Sequence, residues 1–289
     1  MRTFETSEPI SVSLDLGVGD VVIAASDRDD TVVEVEPSDP TRARDVTAAG
    51  ATEVRFANGT LTVTGPRWKW TLRGGDGSVD VRIQLPAGSS LRGTTGVASM
   101  QSTGRLGECR LHNGVGRLVF EETGPAELRT GAGDITIEAI HGRADVKAAG
   151  VIRVGRIDGP AAIRNSNGDT WMGEVTGEAR VTAANGAISV DLARGGIVAK
   201  TANGHVRLAE VTGDHVVAES AFGGLQIGVS EGVAAWLDLR TKFGQVLHDL
   251  DEADRPEPDQ DSVEIRARTS MGDIAIHRAA ATGAGRERS

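Results

Sequence analysis

The sequence predicts an all-β fold: a single-stranded β-solenoid, or β-helix, of about eighteen-residue two-strand coils with an N-terminal β-sheet cap. Three observations carry this prediction. Glycine recurs in two interleaved ladders. One runs Gly107, Gly124, Gly142, Gly159, Gly177, Gly195, Gly213 and Gly232, in steps of 17 to 19 residues. The other runs Gly116, Gly133, Gly150, Gly168, Gly186, Gly204, Gly223 and Gly244, in steps of 17 to 21, about nine residues out of phase. Between the glycines, apolar residues alternate with the period of a strand: Ala126 and Leu128 with Ile135 and Ile137, then Ala144 and Val146 with Ile152 and Val154. Finally, VTAANGAISV at 181–190 is nearly repeated as AKTANGHVRL at 199–208, eighteen residues on.

One such unit buries too few aliphatic side chains to offset the entropy of ordering it, whereas stacked units share a continuous core. Residue i is therefore expected about 4.8 Å above residue i−18. The Asn-Gly pairs at 167–168, 185–186 and 203–204 should form a turn column, with Gly accepting positive φ and the Asn amides bonding up the stack.

Residues 1–88 are strand-rich but less regular, and are expected to form the β cap or irregular first coils. ISVSLDLG, DVVIAA, TVVEVEP, TEVRFANGTLTVTG and SVDVRIQLP all alternate, and Asn58-Gly59 between two such runs is a hairpin signal. Residues 89–248 are the regular solenoid. The acidic, Pro-containing stretch at 249–261 is expected as a surface loop, 262–279 as a final coil and 280–289 as a disordered tail.

Composition narrows the function. Glycine makes up 38 of 289 residues, aromatics only 3%, and Tyr is absent, so the core must be aliphatic. A net charge of −10 disfavours non-specific nucleic-acid binding. Cys109 is the only cysteine, so an internal disulfide cannot form. The N-terminal segment has no apolar stretch typical of a signal peptide, and no run approaches membrane-spanning length. The expected location is cytoplasmic, with no membrane partner.

The phrases TGAGDITI, NGAISV, NGHVRL, TKFGQVL and TSMGDIAI, with SVDVRIQLPAGSSLRG leading into them, resemble the bacterial putative-adhesin β-strand-repeat proteins. The resemblance covers residues 9–279 and implies a single-stranded β-solenoid. That family has no established activity, so the resemblance brings no catalytic residues.

The residues themselves suggest no chemistry either. The six His fall at different positions of the repeat, without metal-ligand spacing. TGAGDITIE at 130–138 has the look of a calcium nonapeptide. The equivalent positions, however, run Asp134, Val151, Asp169, Ala187, His205, which breaks a calcium column. No cofactor is expected. The outward column His112, Arg129, Lys147, Arg164, Thr182, Lys200 is instead a candidate basic ladder, flanked by the small residues Gly131, Ser166, Ala184 and Ala202. Trp171 falls in the column Thr136, Arg153, Trp171, Ser189, Arg207, with Arg153 one coil away and within cation–π reach. Trp68 and Trp70 share a strand face, as cap packing or as an aromatic platform.

The expectation is a non-enzymatic solenoid presenting a repetitive surface to a protein or acidic polymer through Arg129, Lys147, Arg164, Lys200, Arg153 and Trp171. One alternative is a carbohydrate-active β-helix protein using surface carboxylates such as Glu121 and Glu138 together with Trp171. Another is a self-assembling scaffold, a homo-oligomer joined through coil ends or cap.

Overall fold

The computed structural model describes residues 1–66, 77–250 and 261–279. The chain divides into two compact units, Met1–Gly168 and Asp169–Ser289. Both are built of strands that run largely parallel, in a β-helix-like arrangement.

The first unit opens with β1 (Arg2–Glu5), β2 (Ser11–Ser26) and β3 (Asp30–Pro37), then a helix, α1 (Ala43–Ala51), then β4 (Glu53–Ala57), β5 (Thr60–Thr64) and β6 (Val79–Pro86). The long strand β2 lies parallel to β5 along Ser11–Asp15 and parallel to β6 along Gly19–Ser26. On its other edge it pairs with β7 (Ser90–Arg105). The pairs β1–β3, β3–β6 and β4–β5 are antiparallel. Asn58 and Gly59, both at positive φ (51° and 69°), make the β4–β5 hairpin turn that the sequence predicts.

Helix α1 differs from the all-strand expectation for this region. Its segment ARDVTAAGA is rich in Ala, the best helix former, and has no strand alternation. It packs against β3 and β6. Asp45, in its first turn, is buried and accepts a hydrogen bond from the Ser78 backbone N–H at 3.0 Å. Trp68 and Trp70 lie outside the described residues.

Beyond β7 the strands come in pairs that we call rungs: β8 (Cys109–Val115) with β9 (Leu118–Thr123), β10 (Ala126–Ala132) with β11 (Ile135–Ile140), β12 (Ala144–Ala148) with β13 (Ile152–Ile157), then β14 (Ala161–Asn167). Their registers place Ala126 between Cys109 and Ala144, and Ile135 between Leu118 and Ile152. Inward columns are apolar and fully buried: Leu111, Leu128, Val146 and Ile163 on one side, Phe120, Ile137 and Val154 on the other.

The second unit contains β15 (Thr170–Val175), β16 (Ala179–Asn185), β17 (Ile188–Ala193), β18 (Ile197–Asn203), β19 (Val206–Val211), β20 (His215–Phe222), β21 (Leu225–Val229), β22 (Ala234–Phe243), β23 (Val246–Asp249), β24 (Ser262–Met271) and β25 (Ile274–Arg278). Ile188 lies beside Val206 and Asn185 beside Asn203, each in a parallel ladder. The Asn203 side-chain amide donates to Asn185 Oδ1 at 2.9 Å, the stacked-amide contact expected of the turn column.

The rungs of this unit do not stack in chain order. β24 and β25 pair with β20 and β21, and β22 and β23 pair only on the far side of β24 and β25. The last rung in sequence is thus inserted beneath the one that precedes it, and β22–β23 occupies the end of the stack.

The turns explain the glycine ladder more fully than backbone φ does. Gly204 has φ 151°, and a Cβ there would lie 2.0 Å from the Gly186 carbonyl oxygen of the neighbouring rung. Gly223 meets Gly204 the same way at 2.0 Å, Gly272 meets Gly223 at 2.4 Å, and Gly244 meets Gly272 at 2.1 Å. Glycine stacks on glycine because a side chain would occupy the position of the next carbonyl. Replacing Gly204 with Ala should therefore cost about 2 kcal/mol or more, combining positive φ with a backbone clash. At Gly59, a Cβ meets open space, so Gly59→Ala should cost only about 1 kcal/mol from φ alone. Urea denaturation of both variants checks the difference; equal costs would show that φ, not stacking, dominates.

Candidate binding surface

The outward face of the first unit carries the basic ladder at the expected register. Arg129 pairs with His112 on one side and Lys147 on the other, and Lys147 pairs with Arg164. In the second unit Thr182 pairs with Lys200. All four cations point away from the core, and Arg129, Lys147 and Arg164 are exposed.

Acids on the same or the neighbouring strand neutralise much of this charge. Arg129 is 2.7 Å from Glu127, and Arg164 is 3.1 Å from Asp145. Lys200 is 2.7 Å from Glu219, its register partner on β20. Lys147 has no ion pair among the described residues. The face of the first unit is therefore a mixed-charge lattice in which Lys147 is left unpaired among the described residues, rather than a uniformly basic stripe. These exposed pairs are each worth about 0–1 kcal/mol, so they order the surface more than they stabilise the fold.

Trp171, on β15, is 36% exposed and donates its indole N–H to Asp191 at 3.2 Å. Asp191 also lies 3.7 Å from Arg207. The register runs Trp171, Ser189, Arg207, so this outward patch combines a partly exposed indole with an acid–base pair. Arg153 is exposed on β13 in the first unit. Lys200 borders an open depression together with Arg268, Arg240, Lys242 and Glu219.

The carboxylates considered for sugar chemistry, Glu121 and Glu138, fall opposite each other on β9 and β11, between the register pairs Phe120–Ile137 and Glu122–Ala139. Glu121 accepts a hydrogen bond from the Gly104 backbone N–H at 2.8 Å. The Asp column after the second turn serves the backbone. Asp134 accepts from Val151 N–H and Asp169 from Ala187 N–H, both at 2.8 Å, and Asp273 accepts from Gln245 N–H at 2.8 Å. His205 Nδ1 takes the equivalent role, accepting from Gly224 N–H at 2.9 Å. Among the described residues, no group of three His, Cys, Asp or Glu converges to hold a metal ion. None of their helices is long and apolar enough to cross a membrane.

Two features escaped the sequence analysis. His141 stands between two carboxylates, with Nδ1 3.0 Å from Asp158 and Nε2 3.2 Å from Glu122. Asp158 also receives Arg156, and these bonds, the Arg156 contact first, hold its carboxyl below the usual range. The 17- and 19-residue offsets that join these side chains are hidden by the drift of the repeat. The second is a buried polar column. Thr201, Ser220 and Thr269 donate to the carbonyls of Gly186, Gly204 and Gly223 at 2.9–3.1 Å. Thr241 does the same to Gly272 at 2.9 Å. The spacing Thr/Ser/Asn-x-x-Gly is its signal.

Because the folded pKa of Asp158 lies below its unfolded value, its stabilisation is complete above about pH 4. It is lost as pH falls through the folded pKa. Melting temperature should therefore drop on acidification below about pH 4, and Asp158→Asn should flatten the drop; an unchanged profile would leave the cluster without energetic weight. Cys109 is fully buried, and burial, with a smaller contribution from Glu108, pushes its thiol up to about 12. It should react with a thiol reagent only after denaturation, as timed labelling with and without urea would show.

No family model matches the chain, and no curated protein matches it. Solved structures do. A putative lipid binding protein from Parabacteroides distasonis shares 14% identity, with 96% of each chain covered and a TM-score of 0.44. A putative adhesin from Bacteroides fragilis shares 11%, with 95% of each covered and a TM-score of 0.34. A putative cell adhesion protein from Clostridium sporogenes shares 11%, covering 96% of this chain and 98% of its own, with a TM-score of 0.24. Two of these three bear the adhesion label of the proteins that the repeat phrases resemble.

Proposed function

We propose that the chain is a non-enzymatic binding module, built as a single-stranded β-solenoid of about eighteen-residue coils whose N-terminal strands and α1 blunt one end. Its outward columns bind an extended protein segment or an acidic polymer. The observation that carries this is the consecutive register of Arg129, Lys147 and Arg164 on an open face. A polymer with regularly spaced negative groups would meet them one rung at a time, each rung about 4.8 Å apart. The uncompensated Lys147 makes the first contact, and partner carboxylates or sulfates exchange with Glu127 and Asp145 at the flanking arginines. Trp171 with Asp191 and Arg207 supplies a second patch, in which an indole face and an acid–base pair suit a sugar or peptide.

The non-enzymatic reading is supported by geometry: catalysis needs convergent groups in a cleft, whereas Glu121, Asp134 and Asp169 are engaged with backbone amides. No location in the cell is needed for this function, and cytoplasmic residence stands as part of the proposal.

The test is binding to immobilised polyglutamate and to a sulfated polysaccharide. Charge reversal of Arg129, Lys147 and Arg164 to Glu should abolish binding while shifting the melting temperature only a few degrees, since each surface pair is worth about 1 kcal/mol or less. Binding should also weaken steeply with salt. Retention by the triple variant would move the site to Trp171. Turnover on a polysaccharide panel, lost in Glu121→Gln or Glu138→Gln, would favour the carbohydrate-active alternative.

A further inference from the structure

Among the described residues, the end of the second unit formed by β22 and β23 is unfinished. In β24 the inward residues Val263, Ile265 and Ala267 are wholly buried, with β20 on one side and β22 on the other. Their counterparts in β22, Ala235, Leu237 and Leu239, carry the same inward column one rung further and are only partly covered. Leu237 is 36% exposed and Val246, at the same end, 41%. Among the described residues, both backbone and core thus stop at an open edge, the situation that invites another strand.

The free edge has a definite polarity. The Ala234 backbone N–H donates to Asp261 O, towards β24. Alternation along a parallel ladder then turns the amides of Ala235, Leu237, Leu239 and Thr241 outward, away from β24. The side chains between them, Trp236, Asp238, Arg240 and Lys242, form the outer column.

We infer that this edge joins a second copy of the chain, β22 against β22 in antiparallel register about a two-fold axis at Leu239. The sequence AWLDLRTKF is self-complementary in that register. Asp238 of each copy faces Arg240 of the other, and Trp236 faces Lys242, an ion pair and a cation–π pair made twice. These pairs fall at positions not hydrogen-bonded across the strands, where facing side chains approach most closely. Leu237 meets Thr241, Leu239 meets Leu239, and Ala235 meets Phe243, so the two open inward columns close on each other. A two-fold axis makes the contact isologous and finite, so the product is a dimer and not a fibre. Asp238 is already held below the usual carboxylate range by hydrogen bonds from Arg268 and by Arg240, so it stays charged at neutral pH.

The experiment uses the full chain in light scattering coupled to size exclusion, from micromolar to millimolar concentration. The wild type should show a reversible monomer–dimer equilibrium. Asp238→Arg places two Arg pairs across the axis, and Arg240→Asp places two Asp pairs there. Each variant alone should raise the dimer dissociation constant about tenfold or more. Mixing the two should restore dimerisation as a heterodimer, which no change in the fold of either chain could produce. Circular dichroism confirms that both variants are folded. The proposal is overturned if the wild type stays monomeric at millimolar concentration. Protection of the Leu239 amide from hydrogen exchange in such a monomer would show that the chain covers its own edge. A dimer that survives both substitutions, or a mixture no tighter than its parts, would equally overturn it.

Discussion

The close approach of one turn to the next is the constraint on which the rest depends. At Gly116, Gly133, Gly204, Gly223, Gly244 and Gly272 an added Cβ would lie within 2.4 Å of a neighbouring rung's carbonyl oxygen. The turns can therefore stack only if the position carries no side chain. With the turns in contact, the strands on either side are brought to ladder distance, and the same registers propagate through each unit. The carbonyls crowded at these turns are not wasted. Thr201, Ser220 and Thr269 donate to them from inside the core and Thr241 from the end rung, and Asp134, Asp169 and Asp273 collect the amides that follow. Burial of Thr201, Ser220 and Thr269 is tolerated because each hydroxyl has a fixed partner in the adjacent rung.

That same regularity limits what the outer faces can be. Side chains in one column stand a strand spacing apart, so like charges would repel at every rung. The chain relieves this by placing an acid near a base: Glu127 by Arg129, Asp145 by Arg164, Glu219 by Lys200. The proposed binding role rests on the exceptions, Lys147, which has no ion pair among the described residues, and the partly exposed Trp171.

The rung order in the second unit has a physical reason in the inward columns. The rung 262–279 offers Val263, Ile265, Ala267, Ile274 and Ile276 to the interior and is buried from both sides. The rung 234–249 places His248 in an inward column, opposite Ile276. Internal placement would sandwich that imidazole between aliphatic side chains and cost its hydration. At the end of the stack it keeps access to water, and the more apolar rung takes the interior.

How far the sequence alone reaches depends on whether the information is local. The glycine ladders, the two-residue alternation and Asn58-Gly59 are local patterns, and they determined the all-β class, the repeat, the neighbours of Ile188 and Asn185, and the hairpin. The column of Arg129, Lys147 and Arg164 was legible for the same reason, since a repeat of known period fixes which residues share a column. Helix α1 was not, because nine residues of moderate helical propensity among strands are decided by what they pack on, here β3 and β6. The neutralising partners of the basic ladder and the cluster of Glu122, His141 and Asp158 depended on rotamers and on small drifts in the repeat. Only the tertiary structure could decide that β24 lies between β20 and β22. Every rung has the same period and could pair with any other, so the choice rests on which inward column is best removed from water, and that is a property of the assembled core.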